Sequence, residues 1–531
     1  MRLSPSGHID TFSRDHLPPP EQWPELIFTL PELDYPDRLN CAAALLDTAI
    51  DGDRPCLLSP QQTWSYGELR DTAHRIAAVL VEDLGVVPGN RVLLRGPNNP
   101  WLVACWFGTL LAGGVAVTTM PLLRRRELQV IREMARVDLA LCDARFLADL
   151  AAVPGSTIVS YGGDGPDDLT SRTATKDTEF TTVETAADDV ALLAFTSGTT
   201  GRPKATMHFH RDVLAVADTF SRHVLQPTPD DVFTGTPPLA FTFGLGALVI
   251  FPLRVGASTL LVEKATPPEL ADLIAAHRVT VLSTAPTAYR ALVDHADRLG
   301  SLRRCVSAGE TLPKPVWEAF HQATGVKIID GIGSTELLHI FIASADQDLR
   351  PGSTGRPVPG YRAAVVGPDG EPVADGELGH LAVQGPTGCR YLAGDRQDGY
   401  VHDGWNVTGD TYIRDADGYF WYQARSDDMI ISAGYNIAGP EVEAALMGHP
   451  DVTECGVVGV PHPDRGQIVT AYVVLRAGVT GDGAKARELQ DFVKAEIAPY
   501  KYPRAVEFVT ELPRTNTGKL QRFRLRDQAT P

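Results

Sequence analysis

The chain is long, acidic and soluble in composition. It has 531 residues, of which 44% are hydrophobic and 21% are charged, and its formal net charge is −18. At roughly 100–200 residues a domain, this length predicts about three or four domains or subdomains. The composition excludes a disordered or fibrous chain, and the negative charge disfavours nucleic acid and anionic membrane as partners.

The cysteines indicate the cellular compartment, and the lysines indicate where an anion could bind. The seven cysteines are scattered and odd in number, and no two stand at CxxC spacing. This disfavours a disulfide framework or a zinc ribbon and predicts reduced thiols, so we expect a cytoplasmic protein. The first residues also lack the apolar run of a signal peptide. Only nine of the 48 cationic residues are lysines, so a lysine inside a glycine-rich loop is a candidate for anion binding.

Three segments pair an amphipathic helix with a short apolar strand. They are 65–82 with 91–94, 268–277 with 279–284, and 313–324 with 326–330. Helices that alternate with buried strands are typical of a parallel α/β sheet.

The stretch 101–120 is almost uncharged and has the length of a bilayer span. The pair Gly113-Gly114 interrupts it, and β-branched residues follow. We therefore predict a buried helix, a turn and a buried strand, with no membrane partner.

The pattern of predicted elements changes in the last third of the chain. From about Gly352 short alternating strands and turn signals predict a small antiparallel β subdomain. After Arg425 a glycine-rich turn, two helices and two strands predict a separate α+β domain of about 100 residues.

The strongest chemical signal is the segment 192–204. An apolar strand runs into hydroxyl residues and glycines, and the loop ends at Lys204. Glycines let the backbone approach an anion, hydroxyl and N–H groups bind phosphate oxygens, and a lysine adds charge. Walker A spacing is absent, because Gly198 and Gly201 are too close and Ala205 follows the lysine. The alternative is a surface loop with a solvated lysine.

A second signal is the segment 330–336, which directly follows a predicted strand. A carboxylate at the carboxyl end of a strand lies where α/β sheets bind ligands, which favours Asp330 as a binding residue. Glu336 could hold Mg²⁺, which needs few protein oxygens. The alternative is a helix start with Ser334 or Thr335 as its cap.

A third signal joins Asp410 to Arg425. The carboxylate could accept both hydroxyls of a ribose, and the arginine could add a donor. The alternative is a turn acid and a surface ion pair.

The fourth signal is the segment 513–519, where turn residues surround Lys519. Alone it would be a solvated lysine of a mobile terminus.

Together, and in this order, the four signals resemble the adenylate-forming superfamily of acyl-CoA synthetases, peptide-synthetase adenylation domains and luciferases. The resemblance runs from about Cys41 to Arg526; its most specific motif is T-S-G-T-T-G-x-P-K, followed by P-R-T-x-T-G-K. It implies an α/β N-terminal region, residues 1–424, made of two parallel-type subdomains and a small β subdomain. It also implies a hinge at 425–428, with Asp427 as the pivot. A small mobile α+β C-terminal domain, 429–531, would follow the hinge.

The resemblance also implies ATP, Mg²⁺ and coenzyme A as ligands. Lys519 would be the catalytic lysine, assisted by Glu336 and Thr196, and the latter two would place Mg²⁺. The implied ATP-binding residues are Thr196, Ser197, Gly198, Thr199, Thr200, Gly201, Lys204, Ser307, Ala308, Gly309, Glu310, Asp330, Gly331, Ile332, Gly333, Ser334, Thr335, Asp410, Arg425 and Lys519.

Segments 31–40, 206–212 and 331–341 resemble the branch of benzoate-CoA and 2-aminobenzoate-CoA ligases. Ile332 departs from the superfamily, where an aromatic residue is common before the glycine. Phe243 offers a flat wall for an aryl ring, or packs in the core. His339 could bind an ortho substituent or the substrate carboxylate. The implied acid pocket is Thr242, Phe243, Ile332, Gly333 and His339.

Two histidines, His208 and His210, share a strand face, but without a third ligand nearby we predict no metal site there. For coenzyme A the resemblance suggests Gly434, Tyr435, Arg465 and Lys501. Arg465 and Lys501 could equally be solvated surface charges.

The expected function is ATP-dependent activation of a benzoate-like acid to an acyl-adenylate, with transfer to the thiol of coenzyme A. The alternatives are transfer to a carrier-protein phosphopantetheine or another nucleophile, and a non-catalytic nucleotide-binding relative. The last would be expected to lose Lys519 or Glu336, and both are present. A monomer or a homodimer is expected.

Overall fold

The computed structural model describes residues 3–47, 49–196, 203–392, 394, 397–425, 428–432, 435–462, 465–497, 499–515 and 519–528. Residues 435, 436, 466 and 499 are described through their backbone alone.

The strands and helices of the described residues are numbered in chain order. The strands are β1 (Pro55–Leu58), β2 (Thr63–Ser65), β3 (Arg91–Arg95), β4 (Val115–Thr119), β5 (Leu139–Asp143), β6 (Thr157–Tyr161), β7 (Val190–Thr196), β8 (Lys204–Phe209), β9 (Val232–Gly235), β10 (Ser258–Leu260), β11 (Val281–Thr284), β12 (Arg304–Ser307), β13 (Ile328–Gly333), β14 (Ile340–Ala343), β15 (Arg356–Pro357), β16 (Arg362–Val366), β17 (Leu378–Gln384), β18 (Val401–His402), β19 (Trp405–Arg414), β20 (Phe420–Arg425), β21 (Ile430–Ser432), β22 (Tyr435–Ile437), β23 (Val452–His462), β24 (Gly466–Leu475) and β25 (Ala505–Phe508). The α-helices are α1 (Phe12–Asp15), α2 (Cys41–Leu45), α3 (Tyr66–Ala78), α4 (Pro100–Leu111), α5 (Arg125–Ala135), α6 (Leu147–Ala151), α7 (Leu169–Thr173), α8 (His210–Val216), α9 (Thr242–Leu245), α10 (Phe251–Arg254), α11 (Pro267–Ala276), α12 (Pro286–Leu292), α13 (Lys314–Thr324), α14 (Gly439–Met447), α15 (Gly483–Glu496) and α16 (Arg522–Gln528).

The first α/β subdomain is a six-stranded sheet in the order β6-β5-β3-β4-β7-β8. Its strands are parallel except β8, which runs antiparallel to β7. Helix α3 begins with a capping box, in which Ser65 and Glu68 satisfy each other's backbone N–H groups. Because such a cap satisfies N–H groups that have no partner within the helix, it explains where α3 begins.

The apolar stretch 101–120 forms the buried helix α4, a turn and the buried strand β4, as predicted. Gly113 has φ +73°, so the turn uses the left-handed conformation that glycine adopts without strain. No helix among the described residues is both long enough and apolar enough to cross a membrane.

The second α/β subdomain is a nine-stranded sheet, β15-β14-β13-β12-β11-β9-β10-β1-β2. Its central strands are parallel, so the carboxyl ends of β11, β12 and β13 meet at one edge. Helix α13 ends at Gly325, whose φ of +76° is the usual left-handed helix stop.

Two smaller units follow. Strands β16 to β20 form a five-stranded antiparallel sheet. Strands β21 to β25 form a second five-stranded sheet, whose core includes Val442 of α14 and Leu489 of α15. The boundary between the units lies between the end of β20 at Arg425 and the start of β21 at Ile430. The predicted α/β class, with a large N-terminal region and a small α+β C-terminal domain, is confirmed.

Arg290 joins the two domains in this arrangement. This α12 residue of the large domain donates from Nη2 to the Val452 carbonyl of the small domain over 3.1 Å. All seven cysteines are free and buried.

Candidate active site

The predicted phosphate loop leaves β7 and returns on β8. Thr196, the last residue of β7, lies directly opposite Lys204, the first residue of β8. Both ends of the loop are therefore held by strand pairing. Five of the predicted ATP-binding residues lie outside the described residues: Ser197, Gly198, Thr199, Thr200 and Gly201.

One residue that we did not predict, Tyr391, contacts both Lys204 and Glu336. Tyr391 donates its hydroxyl hydrogen to Glu336 Oε1 over 2.5 Å. Lys204 Nζ donates to the same hydroxyl oxygen over 3.4 Å. The lysine predicted to bind phosphate and the carboxylate predicted to bind the metal thus meet at one phenol. No motif in the sequence marks Tyr391.

The segment 334–338 forms a turn rather than the helix start that was the alternative interpretation. Ser334 Oγ accepts a hydrogen bond from the Leu337 N–H over 3.2 Å. Leu338 has φ +71°, a left-handed conformation that costs energy for a residue with a side chain. This turn contains Glu336 and is followed directly by His339.

His208 holds this turn from β8. Its Nε2 donates to the Thr335 carbonyl over 2.8 Å. Burial lowers the pKa of His208 to about 3, so the ring is neutral and carries its proton on Nε2. Lys204, Thr206 and His208 alternate along β8 and so share one face, which is the signal that could have indicated this role.

His210 is engaged elsewhere. Its Nδ1 accepts from the Cys41 backbone N–H over 3.2 Å. The three-ligand cluster found among the described residues is His449, Asp451 and Glu488. Lys485 donates to both of its carboxylates over 2.7 Å and so supplies the cation there.

The predicted adenine-side residues lie at the carboxyl edge of the nine-stranded sheet. Ser307, the last residue of β12, pairs with Asp330 of β13, and residues 308–310 continue from that edge. Burial raises the pKa of Asp330 to about 8, which favours a protonated carboxyl able to donate a hydrogen bond. Gly331, Ile332 and Gly333 complete β13, and Ile332 packs on the main core.

The predicted ribose residues pair across two strands. Asp410 of β19 lies opposite Arg425 of β20, and its Oδ1 is 3.6 Å from Arg425 Nη1. Burial raises the pKa of Asp410, and the arginine opposes that rise. Gly409, at φ +76°, leaves the arginine room, since a Cβ there would lie 3.4 Å from Arg425 Nη2.

Lys519 reaches the site from the C-terminal domain. A Cβ on Gly309 would lie 3.7 Å from Lys519 Cε, so the lysine lies against the adenine-side loop. The lysine N–H donates to Thr515 Oγ1 over 3.0 Å, and the Thr515 N–H donates to the Lys519 carbonyl over 2.7 Å. These bonds pair Thr515 with Lys519 in a hairpin, and residues 516–518 lie outside the described residues.

Charged groups of the large domain act on the pKa of Lys519. Burial in the cleft lowers its pKa, and the carboxylates of Glu310, Asp410 and Glu336 oppose that lowering. Part of the side chain keeps solvent access, so the lysine belongs to an open cleft and not to a sealed core.

The predicted acid-pocket residues cluster around His339. Its ring centroid is 5.7 Å from that of Phe243, 4.5 Å from that of Phe251 and 5.6 Å from that of Phe220. His339 is 3% exposed, and neither ring nitrogen makes a hydrogen bond of normal geometry within the part of the chain described. Burial lowers its pKa to about 3, which the nearby Phe243 backbone opposes.

Glycines shape this cluster. A Cβ on Gly246 would lie 2.3 Å from His339 Cδ2, and one on Gly333 would lie 2.7 Å from the His339 carbonyl carbon. Thr242, the first residue of α9, is half-buried beside Phe243. An unpartnered imidazole among aromatic rings can donate to or accept from a ligand placed against it.

The predicted coenzyme A residues are distributed over the small domain. Lys501 Nζ contacts both carboxylate oxygens of Glu441 over 2.6 Å, so its charge is paired within that domain. Arg465 Nε lies 3.5 Å from Ser432 Oγ. Tyr435 is the first residue of β22, whereas Gly434 and the predicted pivot Asp427 lie outside the described residues. These assignments remain predictions.

Comparisons with known proteins agree with this geometry. Residues 47–391 match the family model described as AMP-binding enzyme, and residues 441–519 match that of the AMP-binding enzyme C-terminal domain. A benzoate–CoA ligase of Thauera aromatica is 34% identical over 514 residues, covering 94% of this chain and 98% of the relative.

Two solved structures are similar along nearly their whole length. That of the anthranilate CoA ligase AuaEII in complex with anthranoyl-AMP is 34% identical, with a TM-score of 0.90, and covers 94% of this chain and 99% of that one. That of a benzoate CoA ligase from Burkholderia xenovorans LB400 is 31% identical, with a TM-score of 0.85, and covers 92% and 100%. The chain therefore belongs to the AMP-binding enzyme family, in the branch that contains the aryl–CoA ligases.

Proposed function

We propose that this enzyme activates an aromatic carboxylic acid with ATP, releases pyrophosphate, and transfers the acyl group from its adenylate to coenzyme A. The observation that carries the proposal is the position of Lys519 against Gly309. This contact supports the proposal because Gly309 follows β12, at the edge where the nucleotide and the acid would bind. The similarity to benzoate–CoA and anthranilate CoA ligases supports the same activity.

Adenylation brings two anions together, so the site must position them and neutralise charge. Lys204 would hold the phosphates, Asp410 and Arg425 the ribose, and Lys519 would contact both the carboxylate and the α-phosphate. Burial lowers the pKa of Lys519, and the anions that it would contact favour its charged form.

The residues expected to hold Mg²⁺ fit that ion. Thr196 offers a hydroxyl and Glu336 a carboxylate, and hard oxygen donors are the ligands that Mg²⁺ prefers. When bound, the ion would neutralise charge on the pyrophosphate leaving group. Tyr391 donates a hydrogen bond to Glu336, which would help to orient the carboxylate for the ion.

The aromatic cluster would receive the ring of the acid. Phe243 provides a flat apolar wall, and His339 provides a neutral polar group at an otherwise apolar position. The imidazole could hydrogen-bond an ortho hydroxyl or amino group. Ile332 and Gly333 would form the side that faces the adenylate.

The second half-reaction requires a thiol to reach the same carbonyl. We propose that the C-terminal domain, 429–531, then rotates about the 425–428 segment with Asp427 as pivot. Such a motion would withdraw Lys519 and bring the loop of Gly434 and Tyr435 to the site. Arg465 and Lys501 are the candidates for the phosphates of coenzyme A.

We also propose a cytoplasmic location, because both co-substrates are abundant there and the seven cysteines are free. We propose that the protein acts as a monomer or a homodimer. Carrier-protein loading finds no support among the relatives described above, which are named as CoA ligases.

The test is acid-dependent exchange of labelled pyrophosphate into ATP with a panel of benzoates, hydroxybenzoates, aminobenzoates and cinnamates. We expect exchange with at least one benzoate, followed by thioester formation when coenzyme A is added. Exchange with no aryl acid would refute the aryl specificity. Pyrophosphate exchange without thioester formation would refute coenzyme A as the acceptor of the acyl group.

A further inference from the structure

We propose that Tyr391 is a positioning residue for the triphosphate and metal site. It would keep the phosphate-binding lysine and the metal-binding carboxylate apart and correctly oriented before ATP binds. The inference rests on the proposed function, because that function gives Lys204 and Glu336 their ligands.

The hydroxyl of Tyr391 lies between the two charged groups. It accepts from Lys204 Nζ at 3.4 Å and donates to Glu336 Oε1 at 2.5 Å. An ammonium can only donate and an ionised carboxylate can only accept, so a hydroxyl is suited to bridge them.

Without this bridge the two charges have a competing arrangement. Lys204 Nζ and the Glu336 oxygen can be no farther apart than the sum of their distances to the shared hydroxyl. A direct ion pair between them would neutralise the cation meant for phosphate and occupy the oxygen meant for the metal. A phenol held between them prevents that contact and leaves each charge available.

The backbone of Tyr391 is fixed by β8. Tyr391 forms an antiparallel bridge with Thr206, and its neighbours exchange hydrogen bonds with the same strand. The Met207 N–H donates to the Arg390 carbonyl over 2.8 Å, and the Leu392 N–H donates to the Ala205 carbonyl over 2.9 Å. The register that begins at Lys204 therefore also sets the position of the phenol.

The residue before the tyrosine anchors this segment in the core. Arg390 is fully buried, forms an ion pair with the equally buried Asp212 of α8, and lies 4.0 Å from the centroid of the Phe209 ring. The side-chain oxygen of Gln397 accepts from the Tyr391 N–H over 3.0 Å. A segment held on both sides presents the hydroxyl with little freedom, which is the structural requirement for preorganisation.

The first test is equilibrium binding of ATP with Mg²⁺ to the full-length protein without acid, measured by titration calorimetry. Tyr391→Phe removes one oxygen and keeps the ring. We expect it to raise the dissociation constant about tenfold, the effect of a lost hydrogen bond to a charged group. The matched control is Tyr412→Phe, which removes a buried hydroxyl that lies 3.2 Å from Thr354 Oγ1. This control should bind ATP like the wild type.

The second test asks whether Tyr391 acts through Glu336. Tyr391→Phe should weaken ATP binding in the wild-type background and have a much smaller effect when Glu336→Gln is already present. Conversion of a supplied acyl-adenylate to thioester should be unchanged in Tyr391→Phe, since that step involves no triphosphate. The unfolding midpoint verifies that each variant is folded.

The outcomes separate the two proposals. Equal ATP affinity in the wild type and Tyr391→Phe would overturn the role of Tyr391 while leaving the proposed function intact. An equal loss in both backgrounds would overturn the coupling to Glu336. Absence of ATP binding in the wild type would overturn the proposed function as well.

Discussion

Arg514 of the C-terminal domain donates to the Glu310 carboxylate of the large domain over 3.3 Å. The same guanidinium also contacts Glu454 within its own domain. Because Arg514 pairs across the hairpin with Leu520, the neighbour of Lys519, this ion pair fastens the base of the hairpin that carries the lysine. The contact belongs to the arrangement in which Lys519 lies against Gly309.

Arg514→Gln should slow adenylation more than thioester formation. The interdomain contact is partly exposed, so we expect its loss to cost about 1 kcal/mol, or about a fivefold lower rate of pyrophosphate exchange. Glu454→Gln is the control, because it removes the partner within the small domain and leaves the bond to Glu310. If both variants slow pyrophosphate exchange equally and spare thioester formation, the contact between Arg514 and Glu310 does not contribute to adenylation.

Lys519→Ala should abolish most adenylation while sparing the second half-reaction. Removing a cation that stabilises developing charge costs about 100-fold or more, and pyrophosphate exchange measures it. Thioester formation from a supplied acyl-adenylate should persist, since the lysine would be withdrawn in that step. If both half-reactions survive intact, the role assigned to Lys519 is wrong.

Gly246→Ala should narrow the acid specificity at the ortho position. The new methyl group would lie 2.3 Å from His339 Cδ2, so the imidazole must move from its present position. We expect kcat/KM for ortho-substituted benzoates to fall about tenfold relative to benzoate, the effect of a displaced pocket group. Gly300→Ala is the control, because a Cβ added at Gly300 would have no atom within 4 Å. Equal losses for all acids would indicate a general packing defect instead.

Buried histidines should make the protein less stable as the pH falls below about 6.5, whereas Asp330, whose pKa burial raises to about 8, acts in the opposite direction. Burial lowers the pKa of His210 to about 3, so the unfolded chain binds a proton there that the folded chain does not. The free energy of unfolding should then decrease with falling pH by about 1.4 kcal/mol per pH unit for each such histidine. His208 and His339 act in the same direction.

Urea unfolding between pH 7 and 5 measures this dependence. His210→Gln should reduce the slope of the unfolding free energy against pH by the contribution of about one proton. The substitution also removes the bond to the Cys41 N–H and so lowers stability at every pH. A slope identical to that of the wild type would contradict the lowered pKa of His210.

The order of elements was predictable from the sequence because it depends on local patterns. Capping at Ser65, the glycine turn at Gly113 and the helix stop at Gly325 act within a few residues of where they occur. The family motifs likewise named Lys204, Glu336 and Lys519 without any structure. Each motif consists of neighbours in the chain, so no long-range contact is needed to read it.

What the sequence determined by itself is therefore the fold class, the family and the identity of the charged residues. Tertiary structure alone decided how those residues are connected. Tyr391 meets Lys204 and Glu336, and Arg514 meets Glu310, across large separations in sequence that no local pattern encodes. The neutrality of His339 follows from burial among aromatic rings of several helices, because a pKa depends on surroundings that only the folded chain creates.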